Sequence, residues 1–443
     1  MTSSENGGHR VAYINARLIC PQSGTDGPGA VLTEDDRIAD AGPQLFSDGV
    51  PTDIAIFDCG GQIICPGVVD LLTKVGEPGG EQNETLATAS ASAAAGGVTT
   101  LICKPNTLPV IDDPALVDYI ERRARDTAIV RVHPIAAVTR SLEGREITEM
   151  GLLAEAGAVA FSDGDHALAD ALTMRRALSY SAFFNAAIIQ HPEDPSLAAD
   201  GCMNEGETAA RLGLTGIPAE AEVIMVERDI HLVSLTGGTC HFSQVTTKRA
   251  LDAIRAAKQR RLNITCGVSP LHFTLTEEAV GEYRTFAKTS PPLRSEADRL
   301  AVIDAIADGT IDVITSNHDP QDVEGKRLPF ARATYGVSGL ETLLPLSLAL
   351  HHTHNIPLAR LMACLSHNPA QIVNLPGGSL TKGAPADLVI FDPDADWLID
   401  PDKFRGKCHN SPFDNYPVRG QVSRTIVGGV PIFVADPQSG KEQ

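Results

Sequence analysis

Between residues 60 and 320 the chain repeats one pattern: a short apolar run, a stretch with helical spacing, then another apolar run. The apolar runs fall at 63–73, 98–103, 129–132, 158–162, 187–190, 239–244, 263–267 and 311–315. Helical spacing fills intervals between them, at 114–125, 168–180, 219–228, 246–260 and 294–307. Strands that alternate with helices pair in parallel, because a parallel neighbour needs a crossover long enough to hold a helix. Eight such units predict a closed (β/α)8 barrel of the TIM type, an α/β fold. The Ala-rich segment 87–95 reads as the first outer helix, ended by Gly96-Gly97, and Asp112 and Asp113 are candidate caps for the next.

The two ends of the chain are patterned differently. Segments 11–20, 53–58, 387–392 and 423–434 alternate like half-exposed strands, and Lys382-Gly383-Ala384-Pro385 punctuates the return from helix to strand. This predicts a small β-sandwich built from both termini, residues 1–62 and 383–443, with the barrel, residues 63–382, inserted between them.

Composition removes several classes of function. Lys and Arg number 36 against 56 Asp and Glu, a formal charge of −20. An acidic surface of that size argues against nucleic acid or an anionic membrane as partner, since phosphates are bound by basic patches. The nine cysteines contain no Cys-x-x-Cys pair and several lie inside apolar runs, so buried free thiols are expected. Met1–Gly8 lacks a charged stretch followed by an apolar core, and no run reaches the eighteen or so apolar residues of a membrane span. A cytoplasmic location is expected.

The barrel's chemistry should sit at the C-terminal ends of its strands. There the chain resembles the dihydroorotases of the amidohydrolase superfamily, of the longer bacterial type, from about residue 50 to 432. The resemblance is carried by Pro66-Gly67-Val68-Val69-Asp70, Glu77-Pro78-Gly79, Gly97-Val98-Thr99-Thr100, Pro105-Asn106-Thr107 and His191-Pro192-Glu193-Asp194. It continues in Ser290-Pro291-Pro292-Leu293-Arg294-Ser295, Tyr335-Gly336-Val337-Ser338-Gly339-Leu340-Glu341-Thr342, Asn368-Pro369-Ala370, Ala386-Asp387-Leu388 and Asn410-Ser411-Pro412-Phe413. Their order and spacing point to this family more than to hydantoinases or allantoinases. The resemblance implies the same barrel and sandwich, and a zinc site at the barrel mouth. In the family that zinc is held by two His of strand 1, an Asp after strand 4, a His after strand 5, a His after strand 6 and an Asp after strand 8. The metal brings the pKa of a bound water from about 15.7 to about 7, and the strand-8 Asp carries its proton to the leaving nitrogen.

Matched residue by residue, most of this machinery is replaced. The two strand-1 His positions hold Leu72 and Lys74, and the substrate-binding Arg position holds Gly76. The strand-4 carboxylate aligns with Gly164, flanked by Asp163 and Asp165. His191 is retained after strand 5. The strand-6 ligand falls at Gln244, with His241 three residues earlier, and the strand-8 Asp falls at Asn317, with Gln321 in place of a further polar His. Of the residues that hold the substrate carboxylate, Asn106 remains. An alkyl group and an ammonium offer a metal no lone pairs, and Asn317 cannot accept a proton; loss of a general base alone costs about 10²–10⁴-fold. Lys74 would place a positive charge where the metal's charge would sit.

The expectation is therefore a catalytically silent dihydroorotase homologue without a cofactor. By family resemblance its partner is aspartate transcarbamoylase, in a hetero-oligomer of pyrimidine biosynthesis. The alternative is a working cyclic amidohydrolase with one zinc on a reduced set, His191 with Asp163, Asp165 or His241. Outside this set, His351, His352 and His354 read as a solvated helix end, Cys240, His241 and Cys266 as strand core, and His272 as either a pocket wall or a hydrogen-bonded loop residue.

Overall fold

A computed structural model describes residues 9–435; the stretch Met1–Gly8 and the last eight residues lie outside the described part. Eight parallel strands form the barrel: Val68–Thr73, Val98–Cys103, Arg131–Pro134, Phe161–Ser162, Ile188–Gln190, Cys240–Phe242, Ile264–Val268 and Val313–Ile314. Strands 1 to 3 pair in order, and so do strands 4 to 8. Two seams close the ring. At one, Ala136 bridges to Phe161, joining strand 3 to strand 4. At the other, the buried Asp70 of strand 1 accepts from the Ser316 N–H at 2.7 Å and the Ser316 hydroxyl at 2.6 Å, just past strand 8. Thr73 donates to the same carboxylate at 2.6 Å, and the Lys74 N–H donates to the His318 carbonyl. The lumen is filled by Val69, Leu71, Ile102, Ile135, Ala160, Ile189 and Val313, so the barrel is a packed core and not a pore.

The outer helices begin where the sequence offers caps. Thr85 caps Leu86–Ala95, Asp113 caps Pro114–Thr127, Thr247 caps Lys248–Gln259 and Ser295 caps Glu296–Asp308. Leu86–Ala95 ends at Gly96, against the Leu340 carbonyl where a Cβ would lie 2.2 Å away.

The termini build the second domain. Its strands run Val430–Val434, Pro417–Val427, Leu388–Leu398, Ile63–Pro66, Arg10–Cys20, Thr25–Glu34 and Arg37–Gly42 in one continuous hydrogen-bonded sheet, with Ala55–Asp58 also paired to Arg10–Cys20. Two of these strands, Thr25–Glu34 and Arg37–Gly42, are not legible in the sequence. The apolar run 63–73, expected as one barrel strand, is two. Ile63–Pro66 pairs with Arg10–Cys20 and Leu388–Leu398, and the barrel starts after Gly67. Gly67 packs on Thr99, where a Cβ would stand 2.2 Å from the side chain, so the chain crosses between domains at the one residue type that fits. The first barrel strand thus begins at Val68, five residues past the start of the apolar run. Arg131, at the start of barrel strand 3, clasps Asp387 of the sheet domain in a two-pronged ion pair of 2.6 and 3.0 Å.

The Asp70 clasp sets a stability expectation. Asp70→Ala strips two buried Ser316 donors and Thr73 of their acceptor, and should cost about 3 kcal/mol. Urea unfolding measures this, and a midpoint equal to that of the unaltered protein would refute the clasp.

Candidate functional site

The C-terminal ends of the barrel strands bring the sequence-predicted residues to one mouth, but not into one donor set. Leu72 sits at φ 74°, a left-handed conformation that a leucine adopts only under constraint, and packs into the lumen cluster with Leu71 and Ile102. Its alkyl group faces core. Two residues on, Lys74 turns into the mouth. Its Nζ lies 3.0 Å from Asp319 Oδ1, donates to Asp319 Oδ2 at 3.2 Å, and lies 3.8 Å from Asp165 Oδ2.

Asp165 is the hub of this network. Its Oδ1 accepts from the buried Lys104 at 2.5 Å, and Asn106 donates to Oδ2 at 2.8 Å. Burial pushes the Asp165 carboxyl up, but Lys104 and Lys74 outweigh that and hold it well below the usual carboxylate range. Asp319 moves the other way: burial and the neighbouring Asp165 raise it, against Lys74 and Lys104. Burial alone would lower Lys74, yet Asp319 and Asp165 together raise it.

The remaining candidates are spent elsewhere or stand apart. Asp163 accepts both the N–H and the hydroxyl of Thr139, at 2.9 and 2.5 Å, and burial raises its pKa. His241, fully buried on strand 6, shares a hydrogen with Thr265 through Nδ1, while its Nε2 has no partner and burial brings its pKa to about 3. Gln244 donates weakly to Thr315 at 3.4 Å, and Asn317, at φ 49°, donates to the Ser290 carbonyl. His191 Nε2 lies 3.4 Å from the Ser290 hydroxyl and 3.8 Å from Glu193. Gly164 is at φ 65° with Asn106 closing the space beside it.

The donors do not fit a zinc ion. Among the described residues no three His, Cys, Asp or Glu converge as a metal-holding group. The reduced set of His191 with Asp163, Asp165 or His241 is not assembled, because Thr139 holds one carboxylate, two lysines hold the other, and His241 faces Thr265. Zinc needs three or four N, S or O ligands, and the chemistry here is an ammonium among carboxylates.

The loop after strand 1 is rebuilt as well. A Cβ on Gly76 would lie 2.1 Å from the Gly80 carbonyl and 2.8 Å from that of Glu84, and the Gly80 N–H donates back to Gly76 at 2.5 Å. No side chain fits at the position where the family carries its Arg. What remains beside it is a cleft of 150 Å³ between Lys74, Gly76, Gly79, Asn106 and Pro320. A larger concavity, 1010 Å³, lies against the terminal sheet near Ile14, Leu45 and Phe46, and no His, Cys or Lys lines it.

Sequence reasoning located Lys74 but missed Lys104, Asp319 and the role of Asp165 as an ion-pair hub. Lys104 precedes Pro105-Asn106-Thr107, and a lysine ending a strand was the one available signal. The other candidates resolve simply. His272 is buried and bonded to Ser269 and to the Pro291 carbonyl, with burial bringing its pKa to about 4. His351 and His352, expected at a solvated helix end, are partly buried and pair with the carbonyls of Ile356 and Pro393. All nine cysteines are buried free thiols. No helix among the described residues is long and apolar enough to cross a membrane.

Two outcomes follow from this geometry. Gly76→Ala should cost about 1–3 kcal/mol through overpacking, seen as a lowered thermal midpoint; an unshifted midpoint would mean that the loop yields freely. The depressed Asp165 carboxyl contributes stability that is complete above its ordinary value near 3.8 and lost as the pH falls below it. The stability gap between the protein and Lys104→Met should therefore hold constant above about pH 5 and shrink below about pH 4. Denaturant titrations across that range would expose a gap that does not narrow.

A dihydro-orotase-like family profile matches residues 61–250. The chain is 44% identical over 436 residues to a dihydroorotase of Ehrlichia chaffeensis, covering 97% of both chains. It is 42% identical over 427 residues to a dihydroorotase of Syntrophus aciditrophicus, covering 96% of this chain and all of the relative (100%). Among solved structures, an L-hydantoinase from Arthrobacter aurescens superposes with a TM-score of 0.86 at 24% identity, covering 96% of this chain and 97% of that one. A dihydropyrimidinase from Brevibacillus agri gives 0.83 at 20%, covering 96% and 95%. At such identities the structural likeness speaks for the fold, a (β/α)8 barrel with a β-sheet domain.

Proposed function

The chain belongs to the dihydroorotase-like family of the amidohydrolase superfamily, and on that premise we propose that it is a non-catalytic member serving pyrimidine biosynthesis as a structural partner of aspartate transcarbamoylase. One observation carries the non-catalytic half: Lys74 stands at a metal-ligand position and is ion-paired to Asp319 and Asp165. With Leu72 in the core and Asn317 in place of the proton carrier, neither a metal-activated water nor a proton route is available from these side chains. The partner half rests on the family resemblance.

A second reading has its own support, and the comparisons favour it. The relatives at 40–45% identity are named dihydroorotase along nearly their whole length, which speaks for a working cyclic amidohydrolase with an atypical metal site. That reading requires His191 to gather Asp163, Asp165 or His241 after the loops rearrange.

Metal analysis with an activity assay separates the two. The non-catalytic reading expects no stoichiometric zinc and no hydrolysis of dihydroorotate. It also expects Leu72→His/Lys74→His to stay inactive, because Gln244, Asn317 and Gly76 remain. One equivalent of zinc with turnover would establish the hydrolase. Co-expressed aspartate transcarbamoylase should co-elute with this protein on a sizing column at about 1:1; two independent peaks would end the partner claim.

A further inference from the structure

We propose that Lys74 is a tethered cation that takes the electrostatic place of the metal and holds the barrel-mouth loops together. The inference deepens the non-catalytic reading, on which it rests, by assigning the discarded metal position a present role. The mouth keeps two carboxylates, each displaced from the family position: Asp165 lies one residue past Gly164, and Asp319 two residues past Asn317. Carboxylates brought together in a half-dry pocket repel one another unless a cation lies between them. Lys74 supplies it, 3.0 Å from Asp319 and 3.8 Å from Asp165, with its own side chain only 30% exposed. Lys104 closes the account of charge, two ammonium groups against two carboxylates, from a side chain 7% exposed.

The geometry ties four loops at one point. Lys74 stands on the loop after strand 1, Lys104 and Asn106 on that after strand 2, Asp165 on that after strand 4 and Asp319 on that after strand 8. Three of the four, those after strands 1, 4 and 8, are loops that a metal of the family kind would cross-link; here an ammonium on a four-carbon stem does so. A metal ion and Lys74 are mutually exclusive occupants, since each would need the oxygens of Asp165 and Asp319. Those carboxylate oxygens are donors of the kind suited to manganese or magnesium rather than to zinc. Removing the ammonium should leave a carboxylate pair that manganese can bridge.

The test uses the full chain, with Lys74→Ala and Lys74→Arg, read by hydrogen exchange and by the manganese spin-resonance signal. Lys74→Ala should exchange about tenfold faster in segments 74–83, 163–168 and 317–322, with the outer helices unchanged, while Lys74→Arg stays near the unaltered protein. One equivalent of manganese should bind Lys74→Ala and slow that exchange again, and should leave the unaltered protein free of metal. Should Lys74→Ala fail to fold, Lys74→Ala/Asp319→Asn, which removes the repelling carboxylate as well, should fold and show protected loops. The proposal is overturned by unchanged exchange in Lys74→Ala, by loosened loops that manganese does not tighten, by an unfolded double variant, or by stoichiometric manganese on the unaltered protein. Turnover of dihydroorotate would sink the non-catalytic reading instead, and none of these readouts depends on turnover.

Discussion

The closing of strand 8 onto strand 1 by Asp70 is the interaction on which the rest depends. A (β/α)8 sheet has two free edges until its last strand finds its first, and unpaired edge groups are costly when buried. Asp70 satisfies the Ser316 N–H and hydroxyl from across that seam, and the Lys74 N–H meets the His318 carbonyl beside it. Once the seam is closed, residues just past strand 8 lie against residues just past strand 1. Lys74 and Asp319 become neighbours for that reason, although 245 positions separate them in the chain.

The same closure also decides which charges meet at the barrel mouth. Carboxylates gathered at one mouth would face one another as like charges without a cation between them. The chain instead carries a network of two lysines and two aspartates, with the His191 side chain and Gln244 left at its margin. At Gly76 the loop has folded back on Gly80 so tightly that a side chain has no room. The scaffold beneath is untouched: the lumen packing, the Arg131–Asp387 clasp and the helix caps serve the fold and not the reaction.

Much of the architecture was legible because most barrel strands are buried on both faces and read as apolar runs. Val98–Cys103 is such a strand, buried at every position. The strands that escaped notice fail that criterion. Thr25–Glu34 begins with Thr25-Asp26-Gly27-Pro28-Gly29, which reads as a turn, and only its second half is buried. Arg37–Gly42 buries Ile38 alone. The run 63–73 misled in the opposite sense: its apolar character is continuous, while the chain changes sheets at Gly67, a break set by close contact with Thr99 that no local pattern announces.

Side-chain chemistry, readable from the residues alone, fixes what each mouth position can offer. Leu72 has no lone pair, Lys74 has none while charged, and Asn317 cannot carry a proton; these are properties of the side chains, and no fold alters them. The pairing of charges at the mouth is set by the closed barrel instead. Asp163 and Asp165 are near neighbours in the chain, yet one is taken by Thr139 and the other by Lys104 and Lys74. Which carboxylate meets which cation depends on how the strand ends converge when the barrel closes, and that convergence is a property of the ring of eight strands rather than of any segment within it.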